Sequence, residues 1–87
     1  MNEKTLYFSS LCPDTAPFKA AMERLGVTAR EVNITASMRN LKEFLRVRDT
    51  KEVFTPRKEQ GMVGVPCLVV NDEYIFEVSD LEERFAK

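Results

Sequence analysis

Short blocks of hydrophobic residues, separated by turn-forming residues, predict three of four β-strands along the chain. The blocks are rich in β-branched, aromatic and aliphatic side chains, as expected for strands buried in a sheet. They cover residues 5–8, 67–70 and 74–76. Residues 27–34 contain a further short strand, predicted at 30–33, which is the second along the chain. Only the string Asn-Asp-Glu at residues 71–73 separates the last two blocks, and this predicts a tight antiparallel hairpin.

Apolar residues spaced three and four positions apart predict helices between these strands. The first stripe consists of Phe18, Ala21, Met22 and Leu25, and the second of Met38, Leu41, Phe44 and Leu45. Gly26 stands where a left-handed residue would end the first helix. Thr35 or Ser37 can cap the start of the second helix.

The C-terminal region predicts a third helix that opens with a capping box. Ser79 would be its N-cap and Glu82 its N3 residue. Residues 49–64 are less regular, and we expect a long loop that contains an extra helical turn. The resulting order β-α-β-α-β-β-α predicts an α/β fold, a four-stranded mixed sheet flanked by helices, in a single domain over residues 1–87.

Composition excludes several classes of function. The chain has no histidine, so Ser-His-Asp catalysis, Cys-His catalysis and histidine-containing metal sites are excluded, and we expect no metal centre. A net charge of −1 argues against binding to nucleic acid, which needs a basic surface. We expect no membrane span and no signal peptide. Having only Cys12 and Cys67 in a small chain favours a reducing cytoplasm over secretion.

Cys12 is the best candidate for chemistry. It follows the first predicted strand and lies at or just before a helix N-terminus, where free backbone N–H groups and the helix dipole stabilise a thiolate. A cysteine can also be a small buried hydrophobic residue, and that interpretation stays open. Thr15 stands where a second cysteine would complete a C-x-x-C motif; its hydroxyl could donate to the Cys12 sulfur or cap the helix. Pro13 suits the first helical position, but Pro17 would favour a later start, near Thr15.

A second candidate segment, Val65-Pro66, precedes the third predicted strand. Most X-Pro bonds in folded proteins are trans, so the sequence by itself predicts a trans bond here. Cys67 follows at once and should begin a buried strand as a structural thiol. The alternative is a role as a partner or sensor for Cys12.

In combination these motifs resemble glutaredoxins. A first strand before Cys-Pro-x-x, a Val-Pro before the third strand and a Ser-Asp-Leu at the last helix occur in that order over nearly the whole chain. The likeness is greatest to small glutaredoxin-related proteins with the string Cys-Pro-Asp-Cys, which ends here in Thr15. Two features depart from the pattern: Glu77 and Val78 replace the usual Gly-Gly, and residues 61–64 lack the usual basic residue before Val-Pro.

The resemblance implies a thioredoxin-like fold and a site for glutathione. Cys12 would be the nucleophile, and Val65 would offer its backbone to the cysteinyl part of glutathione beside a cis Pro66. Ser79 and Asp80 would bind the γ-glutamyl group, through backbone N–H groups and the Asp80 carboxylate.

We therefore expect a monothiol thiol–disulfide oxidoreductase that acts on glutathione mixed disulfides, with Thr15 beside its Cys12 nucleophile. Glutathione would be its co-substrate, and its partners would be glutathionylated or disulfide-containing proteins. No bound cofactor is implied, since the Cys-Gly-Phe-Ser string of cluster-binding monothiol glutaredoxins is absent. We expect a cytoplasmic monomer. The alternatives are a non-catalytic thioredoxin-fold binding module and a redox sensor that links Cys12 to Cys67.

Overall fold

A computed structural model describes residues 3–86 and contains a four-stranded mixed sheet. The strands are β1, Lys4–Phe8; β2, Arg30–Asn33; β3, Cys67–Val70; and β4, Glu73–Ile75. In the strand order β2-β1-β3-β4, β1 runs parallel to β2 and antiparallel to β3, and β3 runs antiparallel to β4. The predicted α/β fold with a mixed sheet is confirmed, and β4 begins one residue earlier than the sequence pattern suggests.

The helices lie between and after these strands. They are α1, Thr15–Arg24; α2, Met38–Thr50; α3, Thr55–Glu59; and α4, Val78–Phe85. A 3-10 turn, Glu52–Phe54, leads into α3, so residues 49–64 contain the predicted extra helical turn. Gly26 has a φ of +72° just after α1, as its predicted cap role requires. Ser37 caps α2, because its hydroxyl accepts the Asn40 N–H at 3.1 Å.

Helices cover both faces of the sheet and give it two hydrophobic cores. Helices α1 and α4 pack on one face, where the buried residues are Leu6, Phe8, Phe18, Ala21, Met22, Val27, Leu68, Val70, Ile75 and Leu81. Helix α2 and the 3-10 turn pack on the other face, where the buried residues are Tyr7, Val32, Ile34, Phe44, Phe54 and Cys67. No helix among residues 3–86 is long and apolar enough to cross a bilayer.

Two sequence predictions about the helices were wrong. Met38 is exposed and does not extend the buried stripe of α2, because it is the first residue of that helix and lies beyond the edge of the core. The predicted capping box at the last helix is also absent. Its N-cap is Glu77, so Ser79 becomes the second helical residue, and Glu82 forms an ion pair with Arg24 at 2.9 Å instead of reaching back to the helix start.

Gly64 brings the segment before β3 into close contact with the second core. Its φ of +103° is in a region that favours glycine, and a Cβ there would lie 3.0 Å from Cδ1 of Phe54. This close approach fixes the position of the segment that leads into Val65 and β3.

Candidate functional site

Cys12 lies in the turn that joins β1 to α1 and is half-buried. Its backbone N–H donates to the Ser9 carbonyl at 3.1 Å, and its own carbonyl accepts the Thr15 N–H at 3.2 Å. The first N–H groups of a helix have no partner within that helix and point out of its N-terminal end. The thiol therefore lies beside the electropositive end of α1.

Helix α1 begins at Thr15, which decides between the two starting points left open by the sequence. Pro13 lies before the helix and is not its first residue. Pro17 is the third helical residue, so the N–H that it lacks would have had no partner within the helix. The Phe18 N–H makes the first helical bond, to the Asp14 carbonyl at 3.3 Å. A proline at position 17 is therefore accommodated in the first turn.

The Thr15 hydroxyl does not serve either of the roles suggested by the sequence. It donates to the Ser9 carbonyl at 2.7 Å, and the residue is 7% exposed. A hydroxyl has one proton to donate, so this bond leaves none for the Cys12 sulfur. The N-cap position belongs to Asp14, whose side chain makes no capping bond. The contact of Thr15 is with the backbone that holds the Cys12 turn.

Ser9 is a site-supporting residue that sequence reasoning missed. Its carbonyl accepts from both Cys12 and Thr15, and its hydroxyl accepts the Leu11 N–H at 3.1 Å. The same hydroxyl lies 3.0 Å from the hydroxyl of Thr35, in the loop before α2. A serine after a strand predicts a turn, but the sequence around Ser9 does not indicate these four hydrogen-bond partners. The Cys12 turn is thus tied to the neighbouring loop of the sheet.

Antiparallel pairing of β1 with β3 brings the two candidate segments together. Tyr7 lies opposite Cys67, so the turn after β1 and the segment before β3 meet at the same end of the sheet. The Cys12 sulfur lies 3.9 Å from the Val65 carbonyl oxygen, within hydrogen-bond distance for sulfur. The Val65–Pro66 peptide bond is cis, as the resemblance implied and contrary to the general preference of X-Pro bonds.

An open groove of about 260 Å³ runs between the start of α1, the segment before β3 and the start of α4. Among the residues that line it are Asp14, Pro17, Val65, Pro66, Val78 and Ser79. The structure thus brings Val65, Pro66 and Ser79 to one groove next to the Cys12 turn. Asp80 follows Ser79 in the first turn of α4, but among the described residues it is not part of this lining.

Arg57 supplies a cation to the groove from α3. Its guanidinium carbon lies 3.6 Å from the centre of the Phe76 ring, a cation–π contact, and Nη2 lies 3.8 Å from a carboxylate oxygen of Glu77. The sequence suggested that no basic residue stood near Val65-Pro66. That inference considered only residues 61–64. Arg57 lies further back in the sequence, and the fold of α3 places it in the same groove as Val65 and Pro66.

Cys67 occupies the opposite environment from Cys12. It is fully buried in β3, and this burial raises the pKa of its thiol to about 12, against the weaker opposing effects of Arg57 and of a hydrogen bond with the Ile75 backbone. Both cysteines are free thiols. The burial of Cys67 agrees with the predicted role of a structural thiol. Among residues 3–86, no group of histidine, cysteine and acidic side chains is arranged to hold a metal ion.

Comparison with known proteins finds a sequence relative and solved structures of similar fold. No family model matches the chain. An uncharacterized protein of Haemophilus influenzae is 41% identical over 86 residues, covering 98% of this chain and 100% of the relative. The crystal structure of a glutaredoxin from Archaeoglobus fulgidus superposes with a TM-score of 0.67 at 21% identity, covering this chain fully and 89% of the other.

The second solved structure is a glutathione transferase homologue from Drosophila mojavensis with bound glutathione. It superposes with a TM-score of 0.57 at 20% identity and covers the whole of this chain, which corresponds to 37% of the larger protein. At these identities the two structures are informative about the fold, and they confirm the thioredoxin-like fold that the sequence motifs implied.

Proposed function

This chain is a glutaredoxin-like protein of the thioredoxin fold, in one family with the Haemophilus influenzae protein, and we propose that it is a glutathione-dependent thiol–disulfide oxidoreductase. One observation carries the proposal: the half-buried Cys12 sulfur lies 3.9 Å from the Val65 carbonyl, beside an open groove. A nucleophilic sulfur needs both access for a disulfide and a surface that aligns it, and this arrangement offers both.

The nucleophile in thiol–disulfide exchange is a thiolate, and we assign that role to the Cys12 sulfur. Cys12 lies in the turn just before α1, next to the positive end of the helix dipole. The hydrogen bonds of Ser9 hold the turn in this position.

In the proposed first step, the Cys12 thiolate attacks the glutathione sulfur of a mixed disulfide between glutathione and a substrate thiol. The old S–S bond breaks, a Cys12–glutathione disulfide forms, and the substrate leaves as a thiolate that takes a proton from water. A second glutathione thiolate then attacks the glutathione sulfur of this adduct. It releases the Cys12 thiolate and glutathione disulfide, so the sulfur of the second glutathione is oxidised as the substrate sulfur is reduced.

The groove suggests how glutathione is held. Val65 lies next to the Cys12 sulfur and lines the groove, so we assign its backbone to the cysteinyl part of the ligand. Ser79 also lines the groove, and we assign the free N–H groups at the start of α4 to the γ-glutamyl carboxylate. We assign Asp80, the next residue of that turn, to the γ-glutamyl ammonium group.

Thr15 limits the reaction to the monothiol route. A C-x-x-C protein can form a disulfide within its own motif, whereas Thr15 has no sulfur and its hydroxyl is bonded to Ser9. A Cys12 adduct can then be resolved by a thiol from outside. We accordingly propose glutathionylated proteins as substrates and a reducing, cytoplasmic setting in which glutathione supplies the electrons.

The two alternative functions differ in support. A redox sensor would have to join Cys12 to Cys67, but Cys67 is 0% exposed and its raised pKa keeps it protonated at neutral pH. A non-catalytic binding module is favoured by one feature, the Glu77 carboxylate that lies 3.8 Å from Arg57 inside the groove. Such a module would bind a ligand there without exchange at Cys12.

Intact-mass measurement after exposure to oxidised glutathione tests the proposal. We expect one glutathione adduct on the natural protein, the same adduct on Cys67→Ser and none on Cys12→Ser. We also expect the natural protein, but not Cys12→Ser, to catalyse deglutathionylation of a mixed disulfide. An adduct on Cys67 alone, or one on Cys12 without turnover, would contradict the enzyme proposal.

A further inference from the structure

Arg57 is held in the groove by contacts that do not depend on a ligand. Its guanidinium stacks on the Phe76 ring at 3.6 Å, and its side chain is 25% exposed. Stacking leaves the edge of a guanidinium free for planar acceptors such as carboxylates. Arg57 therefore presents a prearranged cation in the same groove as Val65 and Ser79.

Glu77 places a carboxylate next to this cation, although the start of α4 does not require it. Its side chain makes no capping bond and is 67% exposed, while its backbone carbonyl accepts the N–H groups of Asp80 and Leu81, both at 3.1 Å. The Glu77 side chain could thus be replaced without loss of a helix cap. Its Oε1 lies 3.8 Å from Nη2 of Arg57, so the two charges face each other across the groove.

We propose that Glu77 is a specificity-determining residue that competes with anionic thiols for Arg57. The inference rests on the proposed function, because it concerns the ligand of that groove. A ligand carboxylate that pairs with Arg57 must first displace Glu77, and Asp14 adds a further negative charge to the lining. Glutathione, with its two carboxylates, is penalised more than a thiol partner that is neutral or cationic at this position.

A double-mutant cycle on binding separates competition for Arg57 from simple charge repulsion. The four proteins all carry Cys12→Ser, and they have Glu77→Gln, Arg57→Gln, both substitutions or neither. The ligand is S-methylglutathione, which cannot undergo exchange, and its affinity is measured by titration calorimetry. Glu82→Gln in α4 is the matched control, because it removes the same charge from an exposed ion pair, here with Arg24 of α1.

We expect Glu77→Gln to tighten S-methylglutathione binding about three- to fivefold, the range for a partly exposed ion pair. Arg57→Gln should weaken binding, and in that background Glu77→Gln should change the affinity less than twofold. Glu82→Gln should leave it unchanged. A gain from Glu77→Gln of equal size in both backgrounds would show repulsion without competition, and no gain would remove the role of Glu77; either result overturns the inference.

The binding assay is independent of exchange at Cys12. If the S-methylglutathione affinities follow the expected cycle but the protein with its natural Cys12 shows no turnover, the proposed enzyme function is refuted and the inference about Glu77 stands. Turnover by the Cys12 form, combined with a binding cycle that shows no coupling between Glu77 and Arg57, would refute the inference about Glu77 and leave the proposed enzyme function intact.

Discussion

At the scale of single residues, the two cysteines carry the same thiol group but lie in different environments. Cys12 is half-buried in a turn at a helix N-terminus, and its sulfur is close to the carbonyl of Val65. Cys67 is fully buried in β3 and surrounded by the second hydrophobic core. Burial raises the pKa of the Cys67 thiol and so opposes its ionisation, whereas the Cys12 sulfur lies next to an open groove.

The raised pKa of Cys67 predicts a loss of stability in alkali. The thiol ionises near its ordinary pKa of 9.0 in the unfolded chain and at about 12 in the folded protein. Its protonated form therefore favours the folded state fully below pH 9, and this contribution is lost as the pH rises from 9 to 12. Between pH 8 and pH 10 we expect the free energy of unfolding in urea to fall by about 1 kcal/mol more in the natural protein than in Cys67→Ala.

The measurement compares how the free energy of unfolding changes with pH in each protein. A cavity left by Cys67→Ala lowers this free energy by the same amount at every pH, so it does not affect the comparison. Tyr7, whose pKa is also raised to about 12, chiefly by burial and by its bond to Glu43, is present in both proteins and contributes equally. Parallel pH profiles for the two proteins would contradict the buried, protonated state of Cys67.

Thr15→Val tests the hydroxyl contact that holds the Cys12 turn. Valine keeps the shape of the side chain but removes the donor to the Ser9 carbonyl, a buried bond of 2.7 Å. We expect a loss of about 1 kcal/mol in the free energy of unfolding, measured by urea denaturation. Thr15→Ser should retain most of the stability. Thr28→Val, at an exposed position, is the control and should cost close to nothing; equal midpoints for Thr15→Val and the control would contradict the contact.

Sequence reasoning at this scale identified residues by type and local position, and it missed those that depend on tertiary contact. Cys12 could be found because a cysteine between a strand and a helix is a recognisable pattern. Ser9 and Arg57 could not, since their roles come from Thr35 and Phe76, which are distant in sequence. Thr15 was noticed for its place in the motif, but the acceptor of its hydroxyl depends on how the turn folds.

At the scale of elements, residues 61–66 form one wall of the groove and are held by contacts from the helices. Nη2 of Arg48 in α2 donates to the Met62 carbonyl at 3.0 Å. Gly64 lies against the ring of Phe54, which closes the 3-10 turn. The position of Val65 beside Cys12 therefore depends on α2 and on the 3-10 turn, through the loop that they support.

Gly64→Ala should destabilise the protein far more than Gly61→Ala. Alanine at position 64 would combine a φ of +103° with a Cβ 3.0 Å from a buried Phe54 ring, for a cost of about 3 kcal/mol. Gly61 has a φ of +73° and an open surrounding, so alanine there should cost about 1 kcal/mol. Urea unfolding of the two variants measures the difference, and equal costs would show that the ring does not approach Gly64.

Strands were easier to predict than helix ends. An apolar run located β3 to the residue, because burial on both faces leaves a continuous apolar sequence. Strand β2 was also placed to the residue, although its sequence is Arg-Glu-Val-Asn and only Val32 is buried. The start of α4 was misplaced because serine is a good N-cap residue in isolation. In the fold Glu77 takes the extended N-cap conformation, with φ −118° and ψ 149°, and half-buried Val78 begins the helix against the first core.

At the scale of the whole molecule, topology brings the candidate site together. Cys12 and Val65 are far apart in sequence, and they meet because β1 and β3 are antiparallel neighbours in the centre of the sheet. The order of elements predicted from sequence implied a mixed sheet but did not specify this pairing. The resemblance implied that Cys12 and Val65 share one site in a thioredoxin-like fold, and the structure shows the strand pairing that brings them together.

Site-resolved alkylation of the native protein at pH 7 tests most directly whether this topology yields one reactive sulfur. Iodoacetamide labelling followed by peptide mass measurement gives the rate at each cysteine, in buffer, with S-methylglutathione and in urea. We expect Cys12 to react faster in the folded protein than in urea and to be protected by S-methylglutathione, while Cys67 reacts only in urea. Slow native labelling of Cys12, unaffected by S-methylglutathione, would contradict the proposed site.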